Sequence, residues 1–203
     1  MKKPKKGMIL IWVGVVLVGV ALCLGGYFIW ESNRAGKQSE EVASELQEQI
    51  TENAAEETGM PTDDPDRTMP TITLKDRSGS SNKYIGILEI PALGLKLPVM
   101  EDWSYAKLKI APCRYAGTVY ADNMVIAAHN YRSHFSGLKN LTSGAKIYFT
   151  DVEGNVYTYE VASLETLQPE QVEEMKSGDW GLTLFTCTPG GKTRVTVRCN
   201  RVS

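Results

Sequence analysis

Three side chains of this 203-residue sequence are of the types that acyl transfer uses. Cys187 ends the strand-like run LTLFTC (182–187), Arg194 opens the run RVTVRCNRV (194–202), and His129 ends the apolar run NMVIAAH (123–129). A thiolate is a strong nucleophile, and a nearby cation favours thiolate over thiol. A cysteine nucleophile needs a proton partner, and the chain offers only His129 and His134. A permanently charged guanidinium beside the thiol could stabilise the oxyanion of a tetrahedral intermediate.

These residues must be brought together by strands. Folding 182–187 against 194–199 around the Pro189-Gly190-Gly191 turn pairs Cys187 with Arg194, Phe185 with Thr196 and Thr183 with Arg198. Strand side chains alternate between faces, so Leu182, Leu184, Val195, Val197 and Cys199 share a core face. Cys187, Arg194, Thr196 and Arg198 share the other. A one-residue slip would put Arg194 or Arg198 among the leucines. On this reading Cys199 is a packed thiol, and so is Cys113 in the turn-like stretch APCRYAG. Arg198 is a solvated strand residue. His134, in the polar segment YRSHFSG, is solvated too, and His129 is the preferred partner of Cys187.

The rest of the chain supplies an anchor and a scaffold. Residues 8–30 carry no charge; at ~1.5 Å per residue they span roughly 34 Å, enough to cross a bilayer core. Trp12, Tyr27, Phe28 and Trp30 lie toward the ends of this run, and Lys2, Lys3, Lys5 and Lys6 precede it. That pattern predicts a single-pass protein with residues 1–7 in the cytoplasm and everything beyond residue 30 outside. Residues 31–82 read as an extracytoplasmic stalk and linker. Val42, Leu46 and Ile50 draw a thin apolar stripe on a helix; a solvated stalk is the preferred reading of it, ahead of a face packed on the domain or a partner. Residues 61–82, with three prolines and a Ser-Gly-Ser-Ser run, read as the linker. The folded domain is expected over 83–203. Its strands are 84–90, 95–100, 123–129, 146–151, 155–167, 182–187 and 194–202, with short helices at 103–109, 134–141 and 168–176. Many short strands and few helices predict an all-β barrel. A net charge of −2 gives no sign of nucleic-acid binding. No CxxC pair occurs and there are only two histidines, so structural zinc is not expected; no cofactor or other metal is expected either.

Taken together, these motifs resemble the sortases, membrane-anchored cysteine transpeptidases of Gram-positive bacteria. The family's TLxTC signature is matched by Thr183-Leu184-Phe185-Thr186-Cys187, its histidine by His129 and its downstream arginine by Arg194. The stretch YIGILEIPALGLKLPV is similar to the first two barrel strands. The resemblance covers residues 83–203 and implies an eight-stranded β-barrel. It also implies cleavage of an LPxTG-like sorting signal through a Cys187 thioester. His129 would act as acid and base, and Arg194 would hold the substrate and stabilise the oxyanion. The acceptor would be an amine from a peptidoglycan precursor or a pilin lysine. A pilin-polymerising enzyme and a cysteine endopeptidase that releases the acyl group to water are the alternatives. Asp64-Pro65 resembles the start of a lid motif, but Asp66 stands where the lid carries an aromatic residue. Glu170, Glu173 and Glu174 are similar to a calcium-responsive loop, and a solvated acidic helix is the preferred reading of them.

Overall fold

A computed structural model describes residues 6–56, 64–76 and 79–202. The lysines at positions 2, 3 and 5, and the parts of the expected linker at 61–63 and 77–78, lie outside the described residues.

Among the described residues nine strands form one sheet: β1 (Ile72–Lys75), β2 (Ser81–Ile90), β3 (Leu95–Met100), β4 (Cys113–Ala116), β5 (Met124–Ala127), β6 (Lys146–Asp151), β7 (Val156–Leu167), β8 (Leu182–Cys187) and β9 (Arg194–Arg201). The order is β1-β2-β3-β4-β5-β8-β9-β7-β6, and β6 also pairs with β2. That last pairing closes a ring of eight strands from β2 to β6, the expected barrel, with β1 added along the outer end of β2. Closure removes the free edges that an open sheet would expose. The joints differ in strength. β8 and β9 pair along six residues each, whereas β3 and β4 meet only at Met100 and Cys113, with Met100 N–H donating to the Pro112 carbonyl at 2.9 Å.

Two strands were not anticipated from the sequence. β1 lies inside the stretch read as linker, and β4 occupies what read as a turn around Cys113. The expected helices shrink to α2 (Tyr105–Leu108), α3 (Val172–Lys176) and a 3-10 turn at Leu138–Asn140.

The barrel interior is filled by residues such as Ile85, Leu88, Val99, Ile126, Phe149, Leu184 and Val197. Ile85 and Leu88 both point inward although three residues apart, because a bulge at Gly86 shifts the register of β2. Only glycine serves there. Its φ is +155°, and a Cβ would lie 2.1 Å from the Thr150 carbonyl oxygen.

The N-terminal element α1 is one helix, Lys6–Glu56. Its apolar residues from Met8 to Trp30 are exposed, and it is long and apolar enough to cross a membrane. Beyond Glu31 the helix lies on the barrel wall. Val42, Leu46 and Ile50 are buried against Leu74, Tyr84, Ile87, Met100 and Leu108. The apolar stripe therefore packs on the domain rather than facing solvent, and burial of such side chains contributes roughly 1.5–3 kcal/mol each.

Candidate active site

The site is built where three neighbouring strands end. β8 and β9 pair antiparallel in the register read from the sequence: Leu182 with Cys199, Thr183 with Arg198, Leu184 with Val197, Phe185 with Thr196, Thr186 with Val195, and Cys187 with Arg194. Thr188 and Thr193 close the turn: the Thr188 N–H donates to the Thr193 carbonyl at 2.9 Å, and the two hydroxyls lie 3.0 Å apart. On the other side β8 runs parallel to β5, with Ala127 opposite Phe185. The chain stays in step beyond that point. Ala128 N–H donates to the Phe185 carbonyl at 3.2 Å, and Thr186 Oγ1 donates to the Ala128 carbonyl at 2.8 Å. Carried two residues on, this parallel register brings His129 level with Cys187. His129, Cys187 and Arg194 thus stand at adjacent strand ends, a rigid scaffold from which loops present reactive groups.

Two clefts meet at the thiol. One, of about 190 Å³, holds both Cys187 and Arg194 and has an aromatic wall of Trp103, Tyr105, Tyr115 and Phe185. These rings contact one another edge to face or tilted, at centroid separations of 5.8 Å for Trp103–Tyr105, 5.4 Å for Trp103–Tyr115 and 5.2 Å for Tyr115–Phe185. The second cleft, of about 740 Å³, lies on the loop side and is lined in part by Asn130, Arg132, Lys139, Thr186, Cys187 and Thr188. The aromatic wall was missed in the sequence. Its only signal there was the cluster Trp103, Tyr105 and Tyr115 in a short polar connection. None of residues 64–70 lines either cleft, and Arg67 pairs instead with Glu153 in the β6–β7 turn. The Asp64-Pro65 segment therefore does not cover this site.

The cysteines sort as expected. Cys187 is partly exposed, while Cys113 and Cys199 are fully buried, and burial pushes both of those thiols up to about 12. They are inert at neutral pH, which leaves Cys187 as the one thiol on the barrel, among the described residues, that a reagent can reach.

The two arginines of β9 differ more than expected. Arg194 is partly exposed, and its Nη1 donates only to the Gly191 and Thr193 carbonyls of its own turn, at 3.0 and 3.2 Å. Arg198 is not solvated: it is 4% exposed. Its Nε donates to Glu165 at 2.6 Å, and its Nη1 donates to the Met175 carbonyl at 2.9 Å and to Thr183 Oγ1 at 3.0 Å. The helix α3 lies over this face of the sheet, so β9 is buried on both sides at that point.

His134 is a further correction. It is fully buried, not solvated, and burial followed by the neighbouring His129 lowers it to about 4. Ser39 of α1 covers it. The Ser39 hydroxyl donates to the Ile110 carbonyl at 2.7 Å and lies 3.1 Å from His134 Nε2. A hydroxyl has one proton, so His134 must donate from Nε2. His129 is also lowered, first by burial and then by Lys109, with Glu31 opposing. The neutral ring is thus its resting form. Its Nε2 is buried without a hydrogen-bond partner, and its ring lies 5.0 Å from that of Tyr131. His129 is not among the residues lining either cleft, and His134 Nδ1 is likewise buried without a partner.

A Sortase domain model matches residues 88–202, more than half of the chain. The chain belongs to the sortase family. Its fold is similar to that of sortase C1 from Streptococcus suis, at 28% identity and TM-score 0.52 over 59% of this chain and 73% of that one. It is similar also to sortase A from Corynebacterium diphtheriae, at 20% identity and TM-score 0.55 over 90% of this chain and 95% of that one. A third likeness is to sortase C from Clostridium perfringens, solved with the C-terminal cell wall sorting motif, at 22% identity and TM-score 0.55 over 88% and 98% of the two chains. No curated protein matches by sequence. Because sortases of classes A and C both resemble this barrel, fold alone does not divide them.

Proposed function

We propose that this sortase is a cysteine transpeptidase that cleaves an LPxTG-like sorting signal and transfers the protein to an amine, anchoring surface proteins to peptidoglycan. The observation that carries the reading is the direct pairing of Cys187 with Arg194 beside the strand end that bears His129. The same arrangement could serve pilin polymerisation, with a lysine amine in place of the peptidoglycan precursor. Residues 8–30 would anchor the chain once across the cell membrane, with the N-terminus in the cytoplasm and the barrel outside.

In this mechanism neutral His129 takes the Cys187 proton, and the thiolate attacks the Thr carbonyl of the sorting signal. Arg194 stabilises the oxyanion. The C–N bond breaks, and the imidazolium returns the proton to the leaving amine. In the second half His129 deprotonates the incoming amine, which attacks the thioester and releases Cys187. The aromatic cleft suits the apolar residues of a Leu-Pro motif, and the opposite cleft leaves room for the acceptor. No cofactor or metal enters these steps.

The test is mass spectrometry of the full chain in detergent, mixed with an LPxTG-type peptide library and a glycine-based amine. A ligated product that disappears in Cys187→Ala supports transpeptidation and reveals the motif. Cleavage by water alone, with every amine tried, would replace transfer by an endopeptidase reading. Unchanged ligation in Cys187→Ala would overturn the mechanism.

A further inference from the structure

The helix α1 acts as a ruler between the apolar run and the barrel. Immediately past Trp30 it is joined to the loop that follows His129. Arg132 N–H donates to Ser32 Oγ at 3.2 Å, and Ser133 Oγ donates to the Ser32 carbonyl at 3.0 Å. Glu31 hydrogen-bonds Tyr131 and lies 3.7 Å from Lys109. At Gly36 the helix comes so close that an added Cβ would lie 2.8 Å from that of Ser133. The other end of the barrel meets the helix much later, where Asn53 Nδ2 donates to the Val152 carbonyl at 3.4 Å. Residue 53 is twenty-one positions beyond residue 32, roughly 32 Å at ~1.5 Å per residue.

The charge of α1 changes along the same axis. Next to the apolar run stand Arg34 and Lys37, with Arg132 and Lys109 at the same level on the barrel and Glu31 as the one acidic residue of α1 there. From residue 40 to 52 the helix carries Glu40, Glu41, Glu45, Glu48 and Glu52 and no cation. Arg34 lies over the Trp30 ring at 5.6 Å. A concavity of about 560 Å³ beside it is lined by Trp30, Asn33, Arg34, Gly36, Lys37 and Ser133. Arg132, with Cys187, also lines the larger cleft.

We propose that the histidine loop rests on the membrane surface and that Arg34, Lys37 and Arg132 bind anionic phospholipid headgroups, with the concavity beside Trp30 as the headgroup seat. Basic side chains next to a span are attracted to anionic lipid within a Debye length. Such seating turns the larger cleft toward the bilayer, so substrates still tethered in the membrane reach Cys187 by moving sideways. The proposal rests on residues 8–30 being a membrane span, and it does not require the enzyme to turn over.

The experiment uses the full chain, inactivated as Cys187→Ala, in phosphatidylcholine vesicles with and without phosphatidylglycerol. A fluorophore is placed on native Cys23, on Arg132→Cys or on Val156→Cys, with Cys23→Ala in the latter two; buried Cys113 and Cys199 stay unlabelled. Acyl-chain spin labels should quench Cys23. Headgroup spin labels should quench position 132 several-fold more than position 156, and phosphatidylglycerol should increase the quenching at 132. Arg34→Gln with Lys37→Gln should remove that increase. If Cys23 is quenched but 132 is no more quenched than 156, the seating is wrong while the anchor stands. If Cys23 is not quenched, the span and the proposal both fall. Equal quenching at 132 with and without phosphatidylglycerol would overturn headgroup recognition.

Discussion

Two positions of β9, its first residue and one within the strand, carry the same side chain in opposite circumstances. Arg194, at the cleft, has only the carbonyls of its own turn as partners and keeps its remaining donors free for a ligand. Arg198, four residues along the same face, is enclosed by Glu165, Thr183 and the carbonyls of α3. One guanidinium is left available and the other is consumed by the fold. The two histidines differ less: each buries one ring nitrogen without a hydrogen-bond partner, Nε2 in His129 and Nδ1 in His134, and what separates them is place, His129 at a strand end and His134 under Ser39. The two arginines are told apart by what already occupies their hydrogen bonds.

The sharpest way to break that contrast begins at its centre. Cys187→Ala should abolish thioester formation and ligation while leaving the melting temperature nearly unchanged, as mass spectrometry and circular dichroism would record. Arg194→Lys should fold normally yet lose roughly 10²–10³ in kcat/KM, since an ammonium lacks the planar fork. Arg198→Met should do the reverse. Leaving Glu165 and the α3 carbonyls without their donor should cost about 3 kcal/mol in denaturant unfolding, with kcat of the folded fraction retained. If Arg198→Met folded at full stability and lost turnover, the two assignments would be exchanged.

An effect of similar size, reached only at acid pH, is a pH dependence of stability. His134 is lowered to about 4 in the fold from an ordinary value of 6.5. Between those values the unfolded chain binds more protons, so stability is intact above pH 6.5 and declines as pH falls toward 4. The loss approaches about 3 kcal/mol at the acid end. His134→Gln should flatten this part of a melting-temperature profile; an unchanged slope would show that His134 is not its source.

The register of the hairpin that carries Cys187 and Arg194 was legible because it depends on short-range rules. The alternation of Leu182, Leu184, Val195 and Val197 against two arginines admitted one register, and that register juxtaposed Cys187 and Arg194. What was hidden depends on contacts between distant segments. Nothing in YRSHFSG marks His134 as buried; the residue that covers it is Ser39, ninety-five positions away. Arg198 is likewise buried by α3, which is absent from its own strand pattern. Two weaker signals were available. Ala35, Ser39, Val42, Ala43, Leu46 and Ile50 recur at helical spacing and are all buried, a broader face than the three-residue stripe. The strand β4 was obscured because Pro112 and Gly117 bracket only four residues, and β1 because ITLK sits in a polar, proline-rich stretch.

The barrel is closed, but its hoop has a thin joint between β3 and β4, held by Met100 with Pro112 and Cys113. A ring under thermal agitation parts first where the fewest bonds cross. Tyr115, on β4, belongs to the aromatic wall of the cleft. The amides of Cys113–Ala116 should therefore exchange with solvent well before those of β8. The part of the aromatic wall that Tyr115 supplies is then on the most compliant stave of the barrel, across the cleft from Cys187 on one of the stiffest.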